Sequence, residues 1–486
     1  MASTSLPEPP GSTSFRQESD RQWWAVGVLV ALVTLTWLPA IGLPLGDSHE
    51  GRVLGRFALQ VRNFWDMGPL GSGLASNWEP MYSTPYAHHP PLTNALAIAS
   101  SAIFGESELA LRIPGYLAGV LSLVALAALL RRVHMPWGPT LIALGALTVT
   151  PFFWVFARLG LGFVLVIFLA VAIIKLRSVD APSAWLRASA GAVAFLTVLG
   201  SWEGTLAAAL LGLWLWRGRG LDQTTILVGV AMVAGLITTL GWISYAAGLG
   251  TLTAQAADRV SRIEFSWIEW VIRQGAYAAR LVPWWYLALA IPAVAAGIVD
   301  RRTRVVTVIT LGVALIFGIG LAQNAWIHEY WNYLGLATIT LGGAALADAV
   351  RGRLGGRWKR ILSVAVSVGL VVQFTLLVLG PVPDRYFNDP AEAGRLAVDN
   401  DPPARQTVAW VGPDIATPRW LAYYWDLPAR SLDASNLDRA NRGDLMLIRI
   451  DSLPPGISPG VLDVVVAQVG EYALVNVEDV LPEVAP

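Results

Sequence analysis

Residues 109–132 read LALRIPGYLAGVLSLVALAALLRR, an apolar run from Leu109 to Leu130 that closes on Arg131 and Arg132. A helix needs ~20 apolar residues to cross ~30 Å of hydrocarbon, and this run supplies them. The arginine pair marks its cytoplasmic end, because basic residues are retained on that side of the membrane. Apolar runs of this kind recur along the chain. Trp23 to Leu43 is the first such run, with Arg16 and Arg21 before it, so the N-terminus is expected in the cytoplasm. It lacks the short apolar core and small-residue cleavage site of a secretory signal and reads as a retained helix.

Working outward, Trp137 to Phe156 exits and Leu159 to Leu176 returns to Lys175 and Arg177. Two short runs, Trp185 to Leu199 and Thr205 to Trp216, flank Ser201-Trp202-Glu203-Gly204 and close at Arg217 and Arg219. Ile226 to Gly248, Trp284 to Val299, Val305 to Leu321, Tyr330 to Ala347 and Ile361 to Leu379 follow. The basic turns Arg301 to Arg304 and Arg351 to Arg360 fall on the side that this count makes cytoplasmic. The expectation is an all-α polytopic membrane protein with about eleven transmembrane helices. Leu92 to Phe104 is too short to cross and is expected to lie at the interface.

Composition agrees. The 486 residues are 55% hydrophobic and only 14% charged, where soluble domains carry roughly a quarter charged residues. Net charge is zero, and no basic run is interleaved with aromatics, which argues against a nucleic-acid partner. The chain has no cysteine, which excludes disulfides, thiolate metal sites and thiol nucleophiles. Residues 1–22 are Ser/Pro/Gly-rich and polar, and are expected to be a disordered cytoplasmic tail. Residues 23–380 form the membrane domain, with a first external loop at 44–108 and a second at 249–283. In the second, Trp267, Ile268, Trp270, Val271 and Ile272 alternate with charges as an interfacial amphipathic helix would. Residues 381–486 change character. Short β-like runs at Thr407 to Val411, Leu445 to Ile450, Val461 to Val466 and Tyr472 to Val477, with a helix over Pro418 to Trp425, predict a small external α/β domain.

The first external loop gathers the ionisable groups. It opens Gly46-Asp47-Ser48-His49-Glu50-Gly51-Arg52 and closes Tyr86-Ala87-His88-His89-Pro90-Pro91-Leu92. A carboxylate there is suited to act as general base on a hydroxyl, and Glu50 and Asp47 are the candidates, with His49 between them. A helix cap is the plain alternative for Asp47-Ser48, since a helix is expected from near Glu50 to Asn63. Two adjacent histidines on an extended chain point to opposite faces, so a metal held by His49, Glu50 and His88 or His89 is not favoured. A phosphate near the helix start after Pro91 is more natural, given the free N–H groups there. Glu203, Arg158, His328 and Glu329 fall on the same face as the loop, and boundary charges face cavities rather than lipid. Arg158, Arg280, His88, His89 and His328 are the candidate cations for an anionic group, with Tyr86 beside them.

These pieces carry a resemblance. The acidic first loop, Tyr-x-His-His-Pro-Pro-Leu (Tyr86 to Leu92), Phe-Gly-Glu-x-Glu-x-Ala-x-Arg-x-Pro (Phe104 to Pro114) and Arg131-Arg132 resemble bacterial family 39 glycosyltransferases. These are similar to protein O-mannosyltransferases and lipid A aminoarabinose transferase, and share the C-type membrane glycosyltransferase (GT-C) fold. Ser201-Trp202-Glu203-Gly204 is similar to an Asp-Trp-Pro-Gly turn of that group, and His328-Glu329-Tyr330-Trp331 to its late His-x-Tyr-Trp/Tyr element. The resemblance covers about Trp23 to Ala347. It implies transfer of a sugar from a polyprenyl-phosphate donor to a hydroxyl of a glycan, lipid or protein acceptor at the extracytoplasmic face of the cell membrane. No nucleotide sugar and no cofactor are expected. The chain departs from the pattern twice. His49-Glu50 stands where the family has an Asp-Glu pair, with Asp47 two positions earlier. Phe163 stands near the position of a second family acid.

Two other classes are weighed. A lipid or sugar transporter or flippase would distribute charges along its spans and often repeat its halves, and no repeat is found. A non-catalytic cell-envelope assembly protein fits the C-terminal domain but leaves the first loop unexplained.

Overall fold

The computed structural model describes residues 12–261, 263, 265–331, 333–412, 414–415, 418–432, 439–441, 443–450 and 465–477. Helix covers most of each long apolar run. In chain order the helices are α1 (Ser12–Ile41), α2 (His49–Gly71), α3 (Leu92–Phe104), α4 (Glu108–Arg132), α5 (Trp137–Thr148), α6 (Pro151–Phe156), α7 (Leu161–Arg177), α8 (Ala184–Gly200), α9 (Trp202–Arg219) and α10 (Gln223–Ala246). Then come α11 (Leu249–Ser261), α12 (Trp267–Leu281), α13 (Trp284–Val299), α14 (Arg304–Leu315), α15 (Ala322–Ile327), α16 (Gly335–Arg353), α17 (Gly356–Leu379), α18 (Asp389–Asp399) and α19 (Arg419–Trp425).

Among the described residues, four helical stretches are long and apolar enough to cross a membrane: Gln22–Ile41, Glu108–Arg132, Gln223–Ala246 and Gly356–Leu379. The number rises to six if two bent pairs each count as one crossing. α5 and α6 meet at 72°. Pro151 opens α6 after an extended Thr150, whose hydroxyl accepts the N–H of Phe153, and a proline cannot continue the ladder of the helix before it. α12 and α13 meet at 113° at Pro283. Several of the about eleven expected spans are therefore shorter or more bent than a single straight crossing.

Local chemistry sets the ends. The Ser107 hydroxyl caps α4 by accepting the N–H of Ala110, with Glu108 in the first turn and Arg131 and Arg132 in the last. Those signs complement the helix dipole at both ends. Ser201 ends α8 and caps α9 by accepting the N–H of Gly204, which makes the sharp turn of that hairpin. α12 carries a reciprocal capping box between Ser266 and Glu269 and exposes Trp267, Ile268, Val271 and Ile272, as an interface-lying helix does.

Three boundaries differ from expectation. α1 begins at Ser12, within the stretch expected to be a disordered tail, because a helix already nucleated at Gln22 extends into polar residues at small cost. Residues 1–11 lie outside the described residues. α2 runs well past Asn63 to Gly71. Residues 330, 331, 333 and 334, expected within a span, form turns, and α16 starts at Gly335.

After α18 comes a five-stranded mixed sheet of order β2-β1-β3-β5-β4. Its strands are β1 (Ala409–Val411), β2 (Ala429–Ser431), β3 (Leu445–Arg449), β4 (Val465–Val469) and β5 (Tyr472–Asn476). β1 pairs in parallel with β2 and β3, while β5 runs antiparallel between β3 and β4. β2 was not expected, since three residues carry no readable alternation. Positions 461–464 of the expected third run lie outside the described residues.

The core has two main parts. The larger packs α1, α4 to α9 and α16 around Trp37, Leu126, Phe153 and Leu341. The second joins α2 to the C-terminal α/β unit through Leu54, Phe57, Leu421, Trp425 and Leu474. The join is backbone-close: a Cβ on Gly55 would lie 2.5 Å from the Trp420 nitrogen. The C-terminal unit is thus packed directly onto the first polar loop.

Candidate active site

Ser48 caps α2 by accepting the N–H of Gly51 (2.9 Å), so Asp47, His49 and Glu50 leave the helix start in different directions. Glu50 turns inward and is only 8% exposed. Arg112 Nε lies 3.8 Å from one of its oxygens and Arg158 Nη2 3.5 Å from the other. Arg112 also donates to the carbonyls of Ile41 (3.2 Å) and Leu43, the otherwise unsatisfied end of α1. Arg158 donates to the Tyr116 hydroxyl (2.6 Å) and lies 3.9 Å from the Phe387 ring centroid. The gap beside Glu50 and Arg112 measures about 10 Å³, room for one water at most. Glu50 is therefore the hub that ties α1, α4 and the Arg158 turn together.

Asp47 turns toward the C-terminal unit. Its N–H donates to the Pro390 carbonyl (3.2 Å) and its carboxylate pairs with Arg52 at 2.9 Å. Burial pushes its carboxyl above the ordinary range, opposed by Arg52 and by Arg449 and Tyr472 of the C-terminal sheet.

His49 points a third way, into a cluster of rings. Tyr330 is 4.3 Å away centroid to centroid, Phe156 5.9 Å and His328 6.0 Å. The residue is partly exposed, yet Nε2 is buried and makes no hydrogen bond. Burial, and then the positive neighbours His328, Arg52, Arg419 and Arg56, push its pKa down to about 3. The imidazole is neutral at physiological pH, with Nε2 unpaired.

The far end of the loop folds back to the same place. Arg56, two turns along α2 from His49, lies 4.2 Å from the Tyr86 ring. His88 and His89 pack on that ring at 4.4 and 5.9 Å. The Trp202 indole donates to the His88 carbonyl (2.8 Å), which pins this turn to the start of α9, where Glu203 sits. Tyr330 lies within electrostatic reach of Tyr86, Arg56, Glu203 and Arg419. The structure thus brings His49, Tyr86, His88, His89, Glu203, His328 and Tyr330 into one neighbourhood.

Arg158 and Arg280 each meet an acid. Arg158 is engaged by Glu50, and Arg280 forms an ion pair with Glu329. That second pair helps clamp α12 on the segment before α16, together with the Tyr277 hydroxyl, which donates to the Trp326 carbonyl at 2.9 Å. Among the described residues no group of three or more His, Asp or Glu side chains gathers in metal-holding geometry. An open apolar groove between α9 and α10, with Trp216 and Ile226 in its wall, lies toward the basic end of α9 and away from Trp202.

The neighbourhood holds two further cations, Arg56 and Arg419. Arg56 repeats the helical spacing of His49 and Arg52 on α2, a signal that was available in the sequence. Arg419 lies in the C-terminal unit, and nothing in the sequence links it to α2.

No family model matches the chain, and no curated protein sequence matches it. Solved structures do. The crystal structure of ArnT from Cupriavidus metallidurans bound to undecaprenyl phosphate is similar at 14% identity and a TM-score of 0.52, covering 94% of this chain and 99% of that one. Its apo form is 16% identical with a TM-score of 0.49, covering 96% and 99%. The arabinofuranosyltransferase AftD from Mycobacteria is 14% identical with a TM-score of 0.49, covering 89% of this chain and 35% of that one. The near end-to-end match to ArnT shows the fold: this is a multi-pass membrane protein of GT-C architecture with a small C-terminal sheet.

Proposed function

We propose that the protein is a membrane glycosyltransferase that moves a sugar from a polyprenyl-phosphate donor to an acceptor hydroxyl on the outer face of the cell membrane. The observation that carries the reading is His49. It occupies a position where the resembled family has an acid, it is uncharged, its Nε2 has no hydrogen-bond partner, and its ring lies 4.3 Å from that of Tyr330. The acceptor oxygen attacks the anomeric carbon, His49 Nε2 takes the hydroxyl proton, and the bond from that carbon to the phosphate oxygen breaks. The electron pair leaves with the polyprenyl phosphate. His88, His89 and His328 stand near enough to stabilise the charge developing there. Glu50, which also holds Arg112 and Arg158, and Asp47 are the other candidate bases.

The fold likeness supports this reading by analogy, since the ArnT structure holds undecaprenyl phosphate. Pentose and hexose donors both fit it, and the acceptor is a glycan, a lipid or a protein. No cofactor is invoked, because cationic side chains are available for the task a metal performs elsewhere. The test is transfer from a panel of labelled polyprenyl-phosphate pentoses and hexoses in proteoliposomes. His49→Ala is expected to lower kcat by 10²-fold or more, the usual worth of a positioned base. Undiminished transfer by folded His49→Ala removes His49 from the mechanism, and loss in Asp47→Asn alone transfers the role to Asp47.

A further inference from the structure

We propose that Arg56 and Arg419 form a composite clamp for a phosphate oxyanion, one arm supplied by α2 and the other by the C-terminal unit packed on it. Arg56 is 7% exposed, yet no carboxylate and no hydrogen-bond acceptor meets its guanidinium among the described residues, and its Nε is buried and unpaired. Its contacts are the faces of Phe57 (4.4 Å) and Tyr86 (4.2 Å). Arg419 is half-buried, lies 5.3 Å from the Trp78 ring and also keeps an unpaired buried Nε. The tight contact at Gly55 carries Arg419 to the turn of α2 that bears Arg56.

Two cations held together without a counter-charge are costly, and burial plus the nearby Arg56 pull Arg419 down to about 10. Among the described residues the two other buried arginines, Arg112 and Arg158, share the acid Glu50. Among the described residues the Arg56–Arg419 pair lacks one, so both guanidiniums are free to take an oxyanion. A phosphate here also acts on His49, because Arg56 and Arg419 are among the charges that suppress its proton affinity. Compensating them raises that affinity at the moment the base is needed. The lipid head group and a water-soluble phosphorylated ligand share this chemistry. The first source rests on the glycosyltransferase reading, while the clamp itself does not.

The test uses the full chain in nanodiscs, with labelled undecaprenyl phosphate and labelled inorganic phosphate as probes. Arg56→Gln and Arg419→Gln are expected to weaken binding at least tenfold, with Arg419→Lys recovering part of it. Binding of the lipid alone identifies a head-group site; binding of inorganic phosphate as well identifies a site open to soluble ligands. A purely structural pair would lower the thermal midpoint when substituted, whereas a clamp relieved of repulsion keeps or raises it in the ligand-free protein. Affinities for both probes within twofold of the parent in both Gln variants, or no binding of either probe by the parent, overturns the clamp. A parent that shows arginine-dependent binding but no transfer overturns the glycosyltransferase reading alone. Equal transfer and binding by parent and Arg419→Gln overturn the clamp alone.

Discussion

At the scale of single residues, neighbouring positions on one helix start have separate fates. Glu50 faces two arginines in a nearly dry setting, so Glu50→Gln strands two positive charges. Breaking such a buried set costs about 3–5 kcal/mol, and the expected result is a large fall in thermal midpoint in detergent or nanodiscs. A catalytic residue outside the core would instead leave stability intact and remove activity, which is the expectation for His49. His49 also gives a pH signature. Its folded pKa lies near 3 and its unfolded value near 6.5, so the unfolded chain takes up the proton first as pH falls. The contribution of neutral His49 is complete above pH 6.5 and is lost progressively below it. His49→Gln lacks that loss, so the difference in midpoint between variant and parent should shift in favour of the variant from pH 7 to pH 4. A constant difference across that range counts against the suppressed imidazole. The role of Asp47 was open in the sequence for a related reason: only the folded chain shows that its carboxylate turns to Arg52 and the C-terminal sheet.

At the scale of elements, the decisive contact is α19 against α2. Gly55 is required there for close approach, since a methyl group would strike the Trp420 backbone. Gly55→Ala is expected to destabilise the join by about 1–3 kcal/mol, the usual cost of overpacking. The readout is faster proteolytic release of the C-terminal unit under mild conditions. Cleavage at the parent rate would show that the join tolerates the methyl. Individual helices were legible because apolar runs, caps and basic ends are local signals. α3 is an example, matching Leu92 to Phe104. The bend between α5 and α6 was less legible, since a proline inside an apolar run marks a break without giving its angle.

At the scale of the whole molecule, the site is assembled from α2, the Tyr86–His89 turn, the start of α9, the His328–Trp331 turn and Arg419. If transfer relies on side-chain cations alone, exhaustive treatment with a divalent-metal chelator should leave activity within twofold, and a loss restored by one metal would refute that. By itself the sequence determined that the chain crosses a membrane several times, that its ionisable groups collect in the first polar loop, and that a mixed α/β unit ends it. Those facts depend on composition, periodicity and charge, which act over one helix length. Only the tertiary structure decided which charges are cancelled and which remain. The sequence does not show that Arg158 meets Glu50 and Arg280 meets Glu329, nor that Arg419 reaches Arg56. Whether a buried charge is satisfied depends on groups hundreds of residues away in the chain, and that distance closes only when the chain folds.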